Sequence, residues 1–247
     1  MDYRDPTPMS YSAREQTATV DDGLRSYMLG VYNYMTSALC LTGLAAYFAS
    51  NWAPLSDALY NTEGLRPHMT GLGWLVLFAP LVMVFFMNKA VNRLSLAGAQ
   101  TYFFVYAALI GLSLAPIFFV YTNASIVRVF LITAIVFGSM SMWGYATKRD
   151  LTAMGSFMYM GVIGIILASL VNMFFQSTAM QFALSVLGVV IFTGLTAYNT
   201  QKLKQIYYQT AGSAELASRY AIMGALSLYL DFVNLFIYMM QLMGERR

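Results

Sequence analysis

The chain has 247 residues, 59% of them hydrophobic and 10% charged, with a formal net charge of +3 and a mean hydropathy of +0.59. Soluble domains carry about 25% charged residues, so the composition excludes a soluble protein and indicates a polytopic membrane protein. The basic residues are scattered through short connectors rather than gathered on one face, which excludes nucleic acid as a partner. The single cysteine, Cys40, excludes an intrachain disulfide or a cysteine metal cluster.

Residues 1–27 read as a polar N-terminal tail that carries Asp2, Arg4, Asp5, Arg14, Glu15, Asp21, Asp22 and Arg25. No apolar core precedes a small-residue cleavage site there, so no cleavable signal peptide is expected. The remainder, 28–247, reads as one transmembrane domain. A hydrocarbon layer roughly 30 Å thick needs about 17 to 25 apolar residues per helix. Seven such runs follow in order, at 28–49, 70–87, 101–121, 126–143, 154–175, 181–198 and 221–243. The connector at 122–125 demands a tight antiparallel hairpin. Pro116, within GLSLAPIF, removes a backbone donor and should kink or end the third helix. Trp52, Trp74 and Trp143 fall at run edges, as interfacial anchors do. Gly111, Gly138, Gly155, Gly161, Gly164, Gly188 and Gly194 supply small surfaces for helix packing.

Short cytoplasmic loops retain Lys and Arg. With the N-terminus inside, the inner segments hold Arg4, Arg14, Arg25, Lys89, Arg93, Lys148, Arg149, Lys202, Lys204 and Arg219. The outer side holds Arg66, Arg128, Arg246 and Arg247. The balance of ten against four favours a cytoplasmic N-terminus and an outer C-terminus. A re-entrant or half-span final helix with both termini inside would also accommodate the C-terminal pair. The absence of a eukaryotic targeting signal, with the short tail and loops, points to a bacterial cytoplasmic membrane.

Asp231 stands in the middle of the last run. A charge at the centre of a membrane helix costs roughly 2.5 to 3.5 kcal/mol on insertion scales, so such a group faces protein or a water-filled cavity. Gly224, Ser227, Asp231, Asn234, Tyr238 and Gln241 are spaced three or four residues apart, which puts them on one side of a helix. Lipid cannot satisfy that stripe, so it must look into the protein. For Ser227, Asn234 and Gln241, hydrogen bonding between helices is the preferred reading over a pore lining. For Asp231 a functional role is preferred.

Elimination narrows that role. Lys89, Lys148, Lys202 and Lys204 all lie in loops, so no lysine is placed to hold retinal in a span. The one histidine, His68, lies in an outer loop, which leaves no base beside a buried serine. Aspartyl catalysis needs two carboxylates sharing a proton, and Asp231 is alone among the runs. The spans lack the side-chain clusters that hold metals, and no phosphate-cradling loop is visible. Neither an enzyme nor a resident cofactor or metal is expected. What remains is permeation, sensing or interaction with other membrane proteins. A carboxylate is protonated in a dry cavity and ionised in a wet one, the basis of a proton-sensitive gate. It is also a hard ligand suited to weak contact with calcium.

Residues 111–151 read GLSLAPIFFVYTNASIVRVFLITAIVFGSMSMWGYATKRDL. With Gly111, Ser113, Pro116, the TAIVF run, and Gly144, Tyr145, Thr147, Lys148, Arg149 and Asp150, this region resembles the signature of the Bax inhibitor-1 family. TAYNTQKLK and LYLDFVNLF resemble the family's sixth and last helices. The resemblance implies an all-α membrane protein in which six helices surround a central C-terminal seventh. It implies pH-sensitive calcium leak activity, or modulation of cell death or of membrane protein quality control. In the channel description, an aspartate late in the sixth helix and one in the last share a proton and gate the pore, with a basic residue near the inner end of the second helix as part of the latch.

This sequence departs from that pattern. Asp231 matches the aspartate of the last helix, but the sixth-helix position is Asn199. An amide can donate to an ionised carboxylate, so the site should titrate once rather than twice. Arg93 or Lys89 is a candidate for the basic latch residue, and both equally suit an ordinary inner loop. The leading expectation is therefore a calcium leak gated near Asp231 and Asn199, with Ser227 and Asn234 on the pore stripe. The alternative is a non-conducting adaptor that binds a membrane protease or another membrane protein. A small-solute carrier is disfavoured by the absence of a half-to-half repeat.

Overall fold

In lipid every backbone amide must be satisfied within its own segment, so apolar runs fold as helices. The computed structural model describes residues 9–61, 68–210 and 213–247. Residues 1–8 of the expected tail and Arg66 lie outside them. In chain order, α1 (Met9–Asn51) and α2 (Ala53–Leu59) lead to a small antiparallel pair, β1 (Tyr60–Asn61) and β2 (His68–Met69). Then come α3 (Gly71–Arg93), α4 (Leu96–Leu114), α5 (Pro116–Val120), α6 (Asn123–Ala146), α7 (Thr152–Phe175), α8 (Thr178–Thr210) and α9 (Ala214–Met243). Thr70, Ser95, Thr122 and Ser213 cap α3, α4, α6 and α9, each accepting from an otherwise unpaired amide of the first turn.

Among the described residues, six helical segments are long and apolar enough to cross a membrane, with α4 and α5 counted as one. They coincide with the second to seventh expected runs. The first expected run lies in α1, where Asn33, Thr36, Ser37 and Thr42 dilute the hydropathy. Leu24 and Tyr27 are already buried, so core packing starts upstream of residue 28. Pro116 behaves as expected: α4 ends at Leu114 and α5 starts at Pro116.

α9 packs against α8, α1, α6, α4 and α3, whereas α7 packs chiefly against α8. Accordingly 61% of the apolar stretch of α9 is buried, against 6% of that of α7. The joint between three helices is polar. Tyr229 of α9 shares a 2.8 Å hydrogen bond with the Thr42 hydroxyl of α1, which also contacts the Ala107 carbonyl of α4 at 2.9 Å. Close approach depends on glycine at selected points: a Cβ on Gly144 of α6 would lie 2.2 Å from the Ala197 carbonyl oxygen of α8.

The two ends of the bundle are identified by their contacts. At one end Tyr27 meets Tyr207 at a ring distance of 5.4 Å, Lys204 donates to the Tyr145 carbonyl, and Arg219 donates to the Leu94 carbonyl. At the other, Arg246 forms a β-bridge with Tyr121, and Thr122 donates to the Glu245 carbonyl at 3.1 Å. Arg128 pairs there with Glu245 at 2.7 Å. The 30 residues of α9 span roughly 45 Å at 1.5 Å per residue. The helix runs from the end that holds Tyr27 to the opposite one, so it is not the half-span considered from the sequence.

Candidate functional site

Asp231 and Asn199 come together at the middle of the α8–α9 contact. Both residues are 4% exposed. The Asn199 amide Nδ2 donates to Asp231 Oδ2 at 2.7 Å, and Asn199 Oδ1 accepts from the Tyr159 hydroxyl of α7 at 3.0 Å. A tyrosine that donates to the amide oxygen leaves the NH₂ end facing the carboxylate, so the orientation of Asn199 is set from α7. The three side chains form a line from the bilayer-facing helix to the most buried one. A neutral amide can donate to the carboxylate in either of its protonation states, so one proton can be taken up while the contact persists.

The rest of the α9 stripe borders three successive cavities. The first, about 280 Å³, lies toward the Arg219 end and is bordered by Gly224, Ser227 and Asn199, with Asn88 and Asn92 of α3, Lys202 and Arg219. The second, about 300 Å³, is bordered by Tyr159, Asn199, Ser227, Asp231, Asn234 and Tyr238. The third, about 490 Å³, opens toward the other end past Asn234, Tyr238 and Gln241, opposite Asn172, Gln176 and Gln181. Asn199 and Ser227 border both the first and second cavities, and Asn234 and Tyr238 both the second and third. The three cavities therefore adjoin one another along one face of α9, at two junctions.

The junctions differ in build. At the first, the Asn199–Asp231 hydrogen bond spans two helices, while Ser227 donates to its own helix at the Met223 carbonyl. At the second, Asn234 donates to the Leu230 carbonyl of its own helix, and the Tyr238 ring stacks on Phe192 at 5.8 Å. A Cβ on Gly188 would come within 2.4 Å of that ring, so α8 holds Tyr238 tightly. Of the stripe residues read as interhelical glue, Gln241 bonds across to α8, accepting from Ser185 at 3.1 Å. Ser227 and Asn234 hydrogen-bond within α9 and border the cavities.

Arg93 is exposed at the end of α3 and does not border these cavities. The contact between α3 and α9 is made instead by Arg219, which donates to the Val91 and Leu94 carbonyls and pairs with Glu215 at 3.0 Å. A guanidinium there satisfies the unpaired carbonyls of a helix C-terminus and meets its partial negative charge. The loop before α7 is fixed separately. Gln201 accepts from the Leu151 amide at 2.9 Å and donates to the Arg149 carbonyl at 2.7 Å. Asp150 accepts from the Thr152 hydroxyl at 2.6 Å and the Thr152 amide at 2.9 Å, which holds its carboxyl below the usual carboxylate range.

Comparison with known proteins gives a consistent result. The family model described as inhibitor of apoptosis-promoting Bax1 matches residues 24–247. The chain is 48% identical over 229 residues to the protein RP147 of Rickettsia prowazekii, with 93% of each chain covered. It is 44% identical over 227 residues to the inner membrane protein YbhL of Escherichia coli (strain K12), covering 91% of this chain and 94% of that one. A protein of Caulobacter vibrioides is 41% identical over 239 residues, with 96% of each chain covered.

Proposed function

This chain belongs to the Bax inhibitor-1 family, in its bacterial branch, and on that premise we propose that it forms a calcium leak pathway through a bacterial inner membrane. In this reading α1 is the seventh crossing, six helices surround α9, the N-terminus is cytoplasmic, and the protein performs no catalysis. The observation that carries it is the run of three adjoining cavities along the polar stripe of α9, the first two meeting at Asn199, which is hydrogen-bonded to the buried Asp231. Parting that bond would join the first two spaces. A carboxylate at the junction supplies a hard oxygen ligand for a passing cation.

The test is calcium flux into liposomes holding the purified chain and an entrapped indicator. The reading expects a leak that Asp231→Asn changes by at least several-fold. Protein-free rates from correctly folded protein overturn it. A second reading, an adaptor for a membrane protease or another membrane protein, is favoured by α7, of whose apolar stretch only 6% is buried and on which Phe157, Met160 and Phe174 are exposed. Flux-inactive protein that co-purifies with a protease supports that alternative.

A further inference from the structure

A fourth cavity of about 180 Å³ lies on the side of α9 away from the polar stripe. Its walls come from α1, the α4–α5 break at Pro116, α6 and α9, and its floor is Phe232, Val233 and Phe236. Thr42 is the one polar side chain on the wall, and its hydroxyl is occupied by Ala38, Ala107 and Tyr229. The space therefore offers nothing to water, and an apolar cavity of about 150 Å³ is known to stay dry and admit a hydrocarbon the size of benzene.

The cavity has a mouth. α1 and α6 both pack on α9, and the hydrogen bond between them, Tyr32 with Ser141, lies toward the Tyr27 end. Toward the other end Gly43 is exposed, and Val127 and Phe130 are 59% and 41% exposed. These residues are continuous with the lipid-facing belt that includes Leu44 and Leu131. Phe232 is 11 residues from Met243 at the end of α9, so the floor lies roughly 16 Å below that end, at hydrocarbon depth.

We propose that this is a lateral window through which one acyl chain of a bilayer phospholipid enters between α1 and α6 and rests on Phe232 and Val233. The occupant follows from the surroundings, because the mouth opens onto acyl chains and the walls supply apolar contact alone. The site lies one residue along α9 from Asp231, so chain occupancy and the position of the α9 backbone are mechanically linked. The proposal does not depend on ion conduction.

The experiment places the full chain in nanodiscs of phosphatidylethanolamine and phosphatidylglycerol doped with a phospholipid bearing a diazirine in mid-chain. Irradiation followed by peptide mass spectrometry reads which residues are labelled. Phe232 and Val233 are 4% and 6% exposed, so lipid at the outer surface does not reach them, while Leu228 and Leu235 at 0% report the background. The expected result is labelling of Phe232 or Val233 at least five-fold above that background. Gly43→Phe, at a position where an added Cβ meets nothing within 4 Å, should remove most of it. Gly30→Phe, equally open on α1, should leave it unchanged, and Val127→Trp provides a second plug should Gly43→Phe fail to fold. Labelling of Phe232 and Val233 at background, or labelling that a folded plug does not reduce, overturns the proposal.

Discussion

At Asp231 the carboxylate meets an amide, and the amide limits how many protons the contact can hold. Asn199→Asp would put two carboxylates at the 2.7 Å contact now made by an amide, and such a pair takes up protons in two coupled steps. Liposome flux measured across pH should change from a one-step to a two-step profile in that variant; an unchanged profile would remove Asn199 from the gate. Stability provides an independent check. Asn199→Leu leaves a buried carboxylate without its partner and should cost about 1–3 kcal/mol, whereas Tyr159→Phe removes one neutral hydrogen bond and should cost about 0.5–1.5 kcal/mol. Thermal unfolding in detergent should rank the two in that order. Asp231 was legible in the sequence because a lone charge in an apolar run is conspicuous, and the stripe was legible because helical spacing is visible in one dimension. Tyr159 was not, since a tyrosine in an apolar run announces its hydrogen bond only once a second helix is in place. The same limit applied at the Tyr27 end of the bundle: Arg93 and Arg219 are both loop-proximal cations in the sequence, and only packing distinguishes the exposed one from the one that closes α3 against α9.

Among the elements, α8 shows what hydropathy measures. The apolar run stopped at Tyr198, yet the helix continues to Thr210, because QKLKQIYYQT is polar without being a poor helix former. Hydropathy marks the hydrocarbon, and the helix extends beyond it. In α1 polar residues lower the apolarity of a helix that still packs into the bundle: Thr42, 6% exposed, faces other helices, whereas Asn33, Thr36 and Ser37 are exposed. The start of α7 carries a prediction of its own. Hydrogen bonds from Thr152 hold the Asp150 carboxyl below its usual range, so the folded value lies below the unfolded one. The stabilisation is then present above the unfolded value and is lost as pH falls through the folded one. Hydrogen exchange at the first amides of α7, corrected for intrinsic rates, should accelerate on acidification below the carboxylate range, and Asp150→Asn should abolish that acceleration.

For the whole molecule, the contacts place the residue 24 end and the C-terminus on opposite ends of the bundle, and the proposed orientation, with the residue 24 end cytoplasmic, rests on the distribution of Lys and Arg. Cysteines introduced at Lys204 and Arg247, in a Cys40→Ala background, should therefore react with membrane-impermeant thiol reagents from the cytoplasmic and outer faces respectively. Reaction of both from one face would contradict the crossing of α9. That same helix poses a problem of manufacture. The most buried helix follows all the others in synthesis, and at roughly 5–20 residues per second its 30 residues take about 2–6 s to appear. Until then its partners enclose a vacancy lined with unmet polar groups, and α9 must leave the insertion machinery with Asp231 still lacking Asn199. Folding yield should therefore hinge on whether the nascent bundle waits for α9 or closes without it.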